Sequence, residues 1–456
     1  MLAALALSAL KVLLLAGGVD AEQNHHSHYV HVTRLLALLG ARGVPPEDVG
    51  LFWADGEDPG PDRVVDVSRV SPGDWLIEGT RVDRDTVNLP EPVDTRFPDR
   101  RVRPATRAAL QAWLEDQGAR MGPDDTLLIA VTDHGEPDPE GGVDTRINLW
   151  GETWSTEQLL EDLRPVPTSS RVVLWMSQCH SGGFSSLHAR RDNLCGAFSA
   201  SPERVAYGCY PELAGRTDVG HFLRFLEALA RGGDIAGAND EVLLTDDTPD
   251  TPHLTSDAFL WEALERRAEQ READLAGLID ARLEQASADD PTWRLVARLA
   301  VRFGLGVIDS QRAVDALLDE LSGAAYALDA WSQHWQIALD QARKLLAEPV
   351  LRKMREPRGP EGRSAARRKA MAAIEAGSRK REGLRARLEA LRTRVDGGAR
   401  IADQLELQEA AAIRAAWLLG RLAGPAVLGP KERARLETLR ACETAPVLPP
   451  ALDTEG

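Results

Sequence analysis

Residues Thr126–Gly135 read TLLIAVTDHG, and Arg171–Gly183 read RVVLWMSQCHSGG. Each is an apolar run that passes at once into ionisable side chains and glycine. Near-continuous apolar strands of this kind form where helices cover both faces of a parallel sheet. In an open α/β sheet the ligand crevice lies beyond the carboxyl ends of the strands. Both segments therefore deliver reactive groups to one edge. A thiol placed there acts as a nucleophile when a nearby imidazole handles its proton, which makes Cys179 and His134 the candidate catalytic pair. Gly135 lets the backbone after the histidine approach an acyl group, so that its N–H points at a developing oxyanion. The N–H of Cys179 is the second candidate donor. Ser181-Gly182-Gly183 turns the chain away without a side chain across the cleft. Asp133 faces the other side of its strand from His134, and no third triad member is evident.

Outward from these two segments, further strands are expected at Lys11–Ala16, Val49–Trp53 and Arg204–Gly208. Helices are expected at His28–Ala41, Ala105–Gln117, Thr156–Leu163 and His221–Ala230. Alternation of strand and helix predicts an α/β fold with a mostly parallel sheet and helices on both faces. The long Ala54–Pro98 loop has room for a hairpin at Asp74–Ile77. From about Asp257 the texture changes to Ala, Leu, Glu and Arg, with helical periodicity over Phe259–Gln285, Trp293–Leu346, Ser364–Val395 and Ile401–Leu422. A last short helix is expected at Lys431–Ala441. The expected division is a catalytic domain over 1–262, an all-α domain over 263–445 and a disordered tail over 446–456.

Hydrophobic residues make up 43% and charged residues 27% of the 456, which fits a globular chain and excludes a largely disordered one. No apolar run reaches the roughly 18–20 residues that cross a bilayer, so no membrane partner is expected. Met1–Ala16 is apolar, but it has no basic start and Lys11 interrupts it, so it reads as leading into a buried first strand. Residues 1–250 hold 22 Lys and Arg against 40 Asp and Glu. That balance disfavours nucleic acid and favours basic peptides. Residues 351–400 reverse it, with 16 basic against 6 acidic. Cys179, Cys195, Cys209 and Cys442 make no disulfide framework in so long a chain, and free thiols in a cytoplasmic protein are expected. No phosphate-binding glycine loop is present, and no cofactor is expected. His25, His26, His28 and His31 lack a neighbouring Cys or carboxylate to complete a metal site. The acidic loops Asp55–Asp62 and Glu136–Asp144 lack calcium-ligand spacing, so no metal is expected.

A strand running into Asp-His-Gly, followed 45 residues after the histidine by a strand running into Gln-Cys-His-Ser-Gly-Gly, resembles the caspase-like cysteine peptidases of clan CD. Ile129–Gly135 is similar to the histidine motif of legumains and the related transamidase subunit. Cys179–Gly182 is closer to metacaspases and other prokaryotic caspase homologues. LLLAGG, then Asn24-His25-His26-Ser27-His28, then VTRLLALLGARGVPPEDVGLFWADG resembles the legumain opening. The resemblance spans roughly residues 10–262 and implies a caspase-like sheet. It also implies hydrolysis of peptide bonds through a thioester on Cys179, with His134 moving the proton.

Two departures bear on specificity. Metacaspases with basic specificity carry an acidic residue two positions before the nucleophile, where this chain has Ser177. Legumains use an arginine in the opening loop, where this chain has histidines. The acidic residues left as candidates for a first pocket are Asp20, Glu22 and Glu212, with His26 from the opening loop. Together with the acidic front half they favour cleavage after Arg or Lys. The alternatives are an Asn/Asp-specific peptidase, a transamidase, or a catalytically inactive scaffold. Protein substrates are the expected partners, with an upstream activating protease or regulator acting at the arginine-dense Leu351–Lys369 segment. By resemblance, such a peptidase belongs to a bacterial stress, cell-death or antiviral proteolytic cascade.

Overall fold

The computed structural model describes residues 9–66, 90–207, 220–346 and 382–450, with a few positions between 369 and 376. Its centre is a seven-stranded sheet. Five of the strands are β1 (Leu10–Ala16), β2 (Val49–Trp53), β6 (Thr126–Thr132), β10 (Arg171–Met176) and β11 (Leu194–Phe198). Short β5 (Val102–Arg103) and β12 (His253–Leu254) form the two edges. The order is β12-β11-β10-β6-β1-β2-β5. Every pairing is parallel except β11 with β12. Two smaller groups lie outside it: β3 (Arg63–Asp66) with β4 (Pro90–Val93), and β7 (Gly135–Glu136), β8 (Arg146–Leu149) and β9 (Glu152–Ser155).

The apolar strands divide by alternation, as a period of two requires. Along β1, Val12, Leu14 and Ala16 join one core, and Leu13 and Leu15 join the other. Helices α1 (His26–Ala41), α4 (His221–Gly232) and α5 (Ile235–Thr245) cover the first face. Helices α2 (Arg107–Gly118) and α3 (Thr156–Asp162) cover the second, with the 3₁₀ segment Ser181–Ala189. Each large aliphatic or aromatic side chain buried this way stabilises the fold by about 1.5–3 kcal/mol. Local signals agree with this packing. Ser155 and Gln158 form a reciprocal capping box at the start of α3.

A third core joins α5 to α6 (Thr255–Gln270), α7 (Leu275–Leu283), α8 (Pro291–Phe303), the start of α9 (Gln311–Leu346), the end of α10 (Glu382–Ala423) and α11 (Pro430–Thr444). The break between α8 and α9 falls at Gly304 and Gly306, both with positive φ, where the expected Trp293–Leu346 helix divides. The fold is thus an α/β sheet flanked by helices and followed by a helical region.

The chain does not divide at residue 262. Among the described residues, 9–64, 92–207, 220–318 and 407–450 belong to one compact unit, and the others belong to another. The expectation failed because the last helices return to the sheet-bearing unit, which periodicity alone does not reveal. Cys195 of β11 and Cys442 of α11 are joined in a disulfide with Cα atoms 6.1 Å apart, contrary to the expected free thiols. Fully buried Arg414 of α10 donates to the carbonyls of Leu243, Asp246, Thr248 and Asp250. Arg421 pairs with Asp240 and Asp257. The chain from Pro446 is ordered as far as it is described. Val447 and Leu448 are buried, and Arg42 and Arg171 donate to the carbonyls of Pro449 and Pro446.

The other differences are local. Residues 204–207 are not a strand, and the remaining long parallel strand is β11, which the polar Arg190-Arg191-Asp192-Asn193 before it obscured. Helix α5 was not expected. The candidate hairpin Asp74–Ile77, Cys209, Glu212 and residues 351–368 lie outside the described residues.

Candidate active site

Strands β6 and β10 pair with Val131 opposite Met176, and Ser177 N–H extends the ladder to the Val131 carbonyl at 3.0 Å. Three residues on from each member of that pair stand His134 and Cys179. Parallel register therefore brings them to one level at the carboxyl edge of the sheet. The two strand ends touch at the backbone. A Cβ on Gly135 would lie 2.1 Å from the Cys179 carbonyl oxygen and 2.9 Å from Gln178 Cγ, so only glycine fits. Gly135 faces Ile147 of β8, while Asn148 N–H donates to the His134 carbonyl at 3.0 Å. That pattern makes Gly135–Ile147 a non-hydrogen-bonded pair, in which the Gly135 N–H points away from β8.

His134 is held from the opposite direction. Its Nε2 lies 2.8 Å from the carbonyl oxygen of Gln23. The Gln23 carbonyl is fixed by a turn that Asp20 closes, its Oδ1 accepting from the N–H groups of Glu22 and Gln23. With Nε2–H donating to Gln23, Nδ1 is the nitrogen left to exchange a proton. Asp133 faces away, as its place on the strand demands. Its buried carboxyl accepts from Gly18 N–H and His134 N–H. Burial pushes this carboxyl up to about 8 against the pull of those two donors.

Three imidazoles meet here. The rings of His25 and His28 lie 5.5 and 5.3 Å from that of His134, both edge-on. Burial, followed by the neighbouring His134, pushes His25 down to about 4 and His28 well below the ordinary histidine range. Burial also lowers His134 itself, with Gln23 and Asp20 opposing. A neutral His134 at neutral pH is the form able to take a proton at Nδ1, and the imidazolium so formed can give it back. No group of three or more His, Cys, Asp or Glu among the described residues can hold a metal ion.

Cys179 Sγ accepts from Ala206 N–H at 3.3 Å. The chain turns directly after it, with His180 in the left-handed region at φ 59°. This conformation is uncommon for a side-chain-bearing residue. It is tied by His180 N–H to the Arg204 carbonyl and by Nδ1 to the Pro202 carbonyl, both at 2.8 Å. His180 thus shapes the turn. His188, 4% exposed, packs edge-on to Phe259.

A cavity of about 10 Å³ is lined by Ala206, Ser177, His31, Thr132, His221 and Asp250 among others; Cys179 does not line it. Asp20 and Glu22 do not line it. They sit exposed on the turn that holds His134. His26 does not line it either. It stacks on Tyr29 and contacts Arg63. The cavity's residues come from seven separated segments, so no one local pattern in the sequence gathers them.

No protein-family model and no curated protein matches this chain. Among solved structures it is similar to protein GSU0716 from Geobacter sulfurreducens, at 13% identity and a TM-score of 0.33, over 54% of this chain and 92% of that one. At that level the likeness bears on neither site nor activity.

Proposed function

We propose that the protein is a cysteine endopeptidase in which Cys179 is the nucleophile and His134 the proton carrier. The observation that carries this reading is the level placement of the two residues on adjacent parallel strand ends, joined at the backbone through Gly135. In the reaction, Cys179 Sγ attacks the scissile carbonyl carbon and its proton passes to His134 Nδ1. The carbonyl oxygen becomes an oxyanion facing the N–H groups of Gly135 and Cys179; loss of one such donor typically costs about 10²–10³ in rate. Collapse of the tetrahedral adduct breaks the C–N bond, and His134 returns its proton to the departing amine. Water, deprotonated by His134, then releases the acyl group and restores the thiol. Gln23 holds the imidazole through Nε2 throughout.

No helix among the described residues is long and apolar enough to cross a membrane. A cytoplasmic site was expected from free thiols, and the Cys195–Cys442 disulfide removes that basis.

The test is labelling with a peptidyl acyloxymethyl ketone, with peptide mapping, beside digestion of a proteome-derived peptide library. The expected outcome is a single adduct on Cys179 and cleavage products absent from Cys179→Ala and His134→Ala. Persistent cleavage by folded Cys179→Ala would overturn the mechanism.

A further inference from the structure

Arg107, Arg191 and Arg421 each serve the packing of the fold. Arg107 bonds Asp162, Arg191 donates to the carbonyls of Leu163 and Val166, and Arg421 pairs with Asp240 and Asp257. Arg100, Arg101 and Arg103 differ. Among the described residues their side chains form no hydrogen bond and no ion pair, and Arg100 Nη1 is left without a partner. One exposed arginine without a partner is ordinary. Here the three come together in one concavity with a fourth, Arg120, which follows α2.

That concavity has a volume of about 500 Å³ and lies at the β5 edge of the sheet, within the range of roughly 300–1,000 Å³ typical of small-molecule sites. Leu36 of α1 and Val49 and Leu51 of β2 give it an apolar wall. Arg101 and Arg120 are exposed, and Arg100 and Arg103 are half-buried, so a solute can reach the cluster. Its acids are Glu47, Asp99 and Asp116. Asp116 is taken by Arg120 at 2.6 Å. Glu47 and Asp99 are then left facing three guanidinium groups, in a front half of the chain where acids outnumber bases. Arg103 is lowered by burial and then by the neighbouring Arg101, with Asp116 opposing. Its guanidinium carbon lies over the Phe52 ring, 5.9 Å from the centroid. A cation crowded by a second cation is favoured by an incoming anion.

Guanidinium forks match the oxygens of carboxylate and phosphate. A phosphate ester carries roughly −1.5 to −2 charges at pH 7 and three acceptor oxygens, so it can engage several guanidinium groups at once. The carboxylates of Glu47 and Asp99 repel a bare anion but accept from hydroxyl groups. A ligand that joins a phosphate to a hydroxylated body satisfies both sets, and the volume has room for that body. We propose that this cavity is a binding site for a phosphorylated sugar, free or as part of a nucleotide, with Arg100, Arg101 and Arg103 on the phosphate and Glu47 and Asp99 accepting from its hydroxyls. Strands β1 and β2 stand between β5 and the strand that leads to His134, so the site is separate from the candidate active site and independent of the peptidase reading.

Isothermal titration calorimetry on the full chain tests it, with ribose 5-phosphate, glucose 6-phosphate and AMP as probes. Ribose, glucose, adenosine and inorganic phosphate serve as controls. At least one ester is expected to bind at least about tenfold more tightly than both inorganic phosphate and its own unphosphorylated parent. Arg101→Ala changes an exposed position, and Arg103→Lys keeps the charge but loses the fork. Each is expected to weaken that binding by about tenfold or more, the scale of one charge-assisted hydrogen bond, with the melting temperature of the free protein unchanged. Tightest binding of AMP would support the site and identify a nucleotide as its ligand; tightest binding of a sugar phosphate would support it and identify the free sugar. Binding of none of the three esters, inorganic phosphate binding as tightly as they do, or unchanged affinity in both variants would overturn the assignment.

Discussion

Gly135 has no room for a side chain, because a Cβ there would overlap the backbone of Cys179 rather than a movable side chain. Gly135→Ala must therefore push the ends of β6 and β10 apart. Displacement of reacting groups by about 1 Å costs roughly 10²-fold in rate, so kcat/KM is expected to fall by about that factor while far-UV circular dichroism stays unchanged. Activity within threefold of wild type would show that the strand ends need not touch. Buried acids and imidazoles make a second prediction at this scale. Burial pushes Asp133 and Glu443 up to about 8 in the folded state, so folding holds their protons more tightly than the unfolded chain does. Their contribution to stability is full below about pH 4 and is lost as pH rises toward 8. His25, His31 and His221 are depressed and act oppositely, losing stability as pH falls below about 6.5. Above pH 6.5 only the acids count, so the melting temperature should decline from pH 6.5 to 8.5. Asp133→Asn should make that decline shallower, and an unaltered slope would show that Asp133 is ionised throughout.

The elements that carry His134 and Cys179 were legible because each is a local pattern: an apolar run, then reactive residues, then glycine. TLLIAVT and RVVLWM became β6 and β10 with the boundaries expected. The elements that complete the site were not legible. The Gln23 carbonyl is a backbone group and has no side-chain signature. Helix α10 reads as an ordinary charged helix, and nothing in its sequence marks Arg414 as a core residue. In the fold that arginine closes four carbonyls, one in the last turn of α5 and three in the chain between α5 and β12. Arg414→Met keeps much of the volume and removes every donor. Unsatisfied buried acceptors cost about 1–3 kcal/mol each before relaxation, so a loss of about 3–5 kcal/mol is expected in urea unfolding. A loss under 1 kcal/mol would mean that water reaches those carbonyls.

At the scale of the molecule, the C-terminal residues 407–450 are part of the unit that carries the site, so they are not a detachable regulator. Truncation after residue 406 should abolish cooperative unfolding as well as activity. A stable, active truncated protein would contradict the contacts of Arg414, Arg421 and Cys442. The acidic front half and basic 351–400 segment described composition correctly, but composition does not register which segments return to which core. One covalent link has a further meaning for any control by cutting. Cys195 and Cys442 lie 247 residues apart in the chain, and the arginine-dense Leu351–Lys369 segment lies inside the span they enclose. A nick in that segment converts the protein into two polypeptides that remain one molecule. Electrophoresis should then display a single full-size band without reductant and two smaller bands with it. In such a protein cleavage and release become separate events, and a thiol reductant, not the protease, decides when the halves can part.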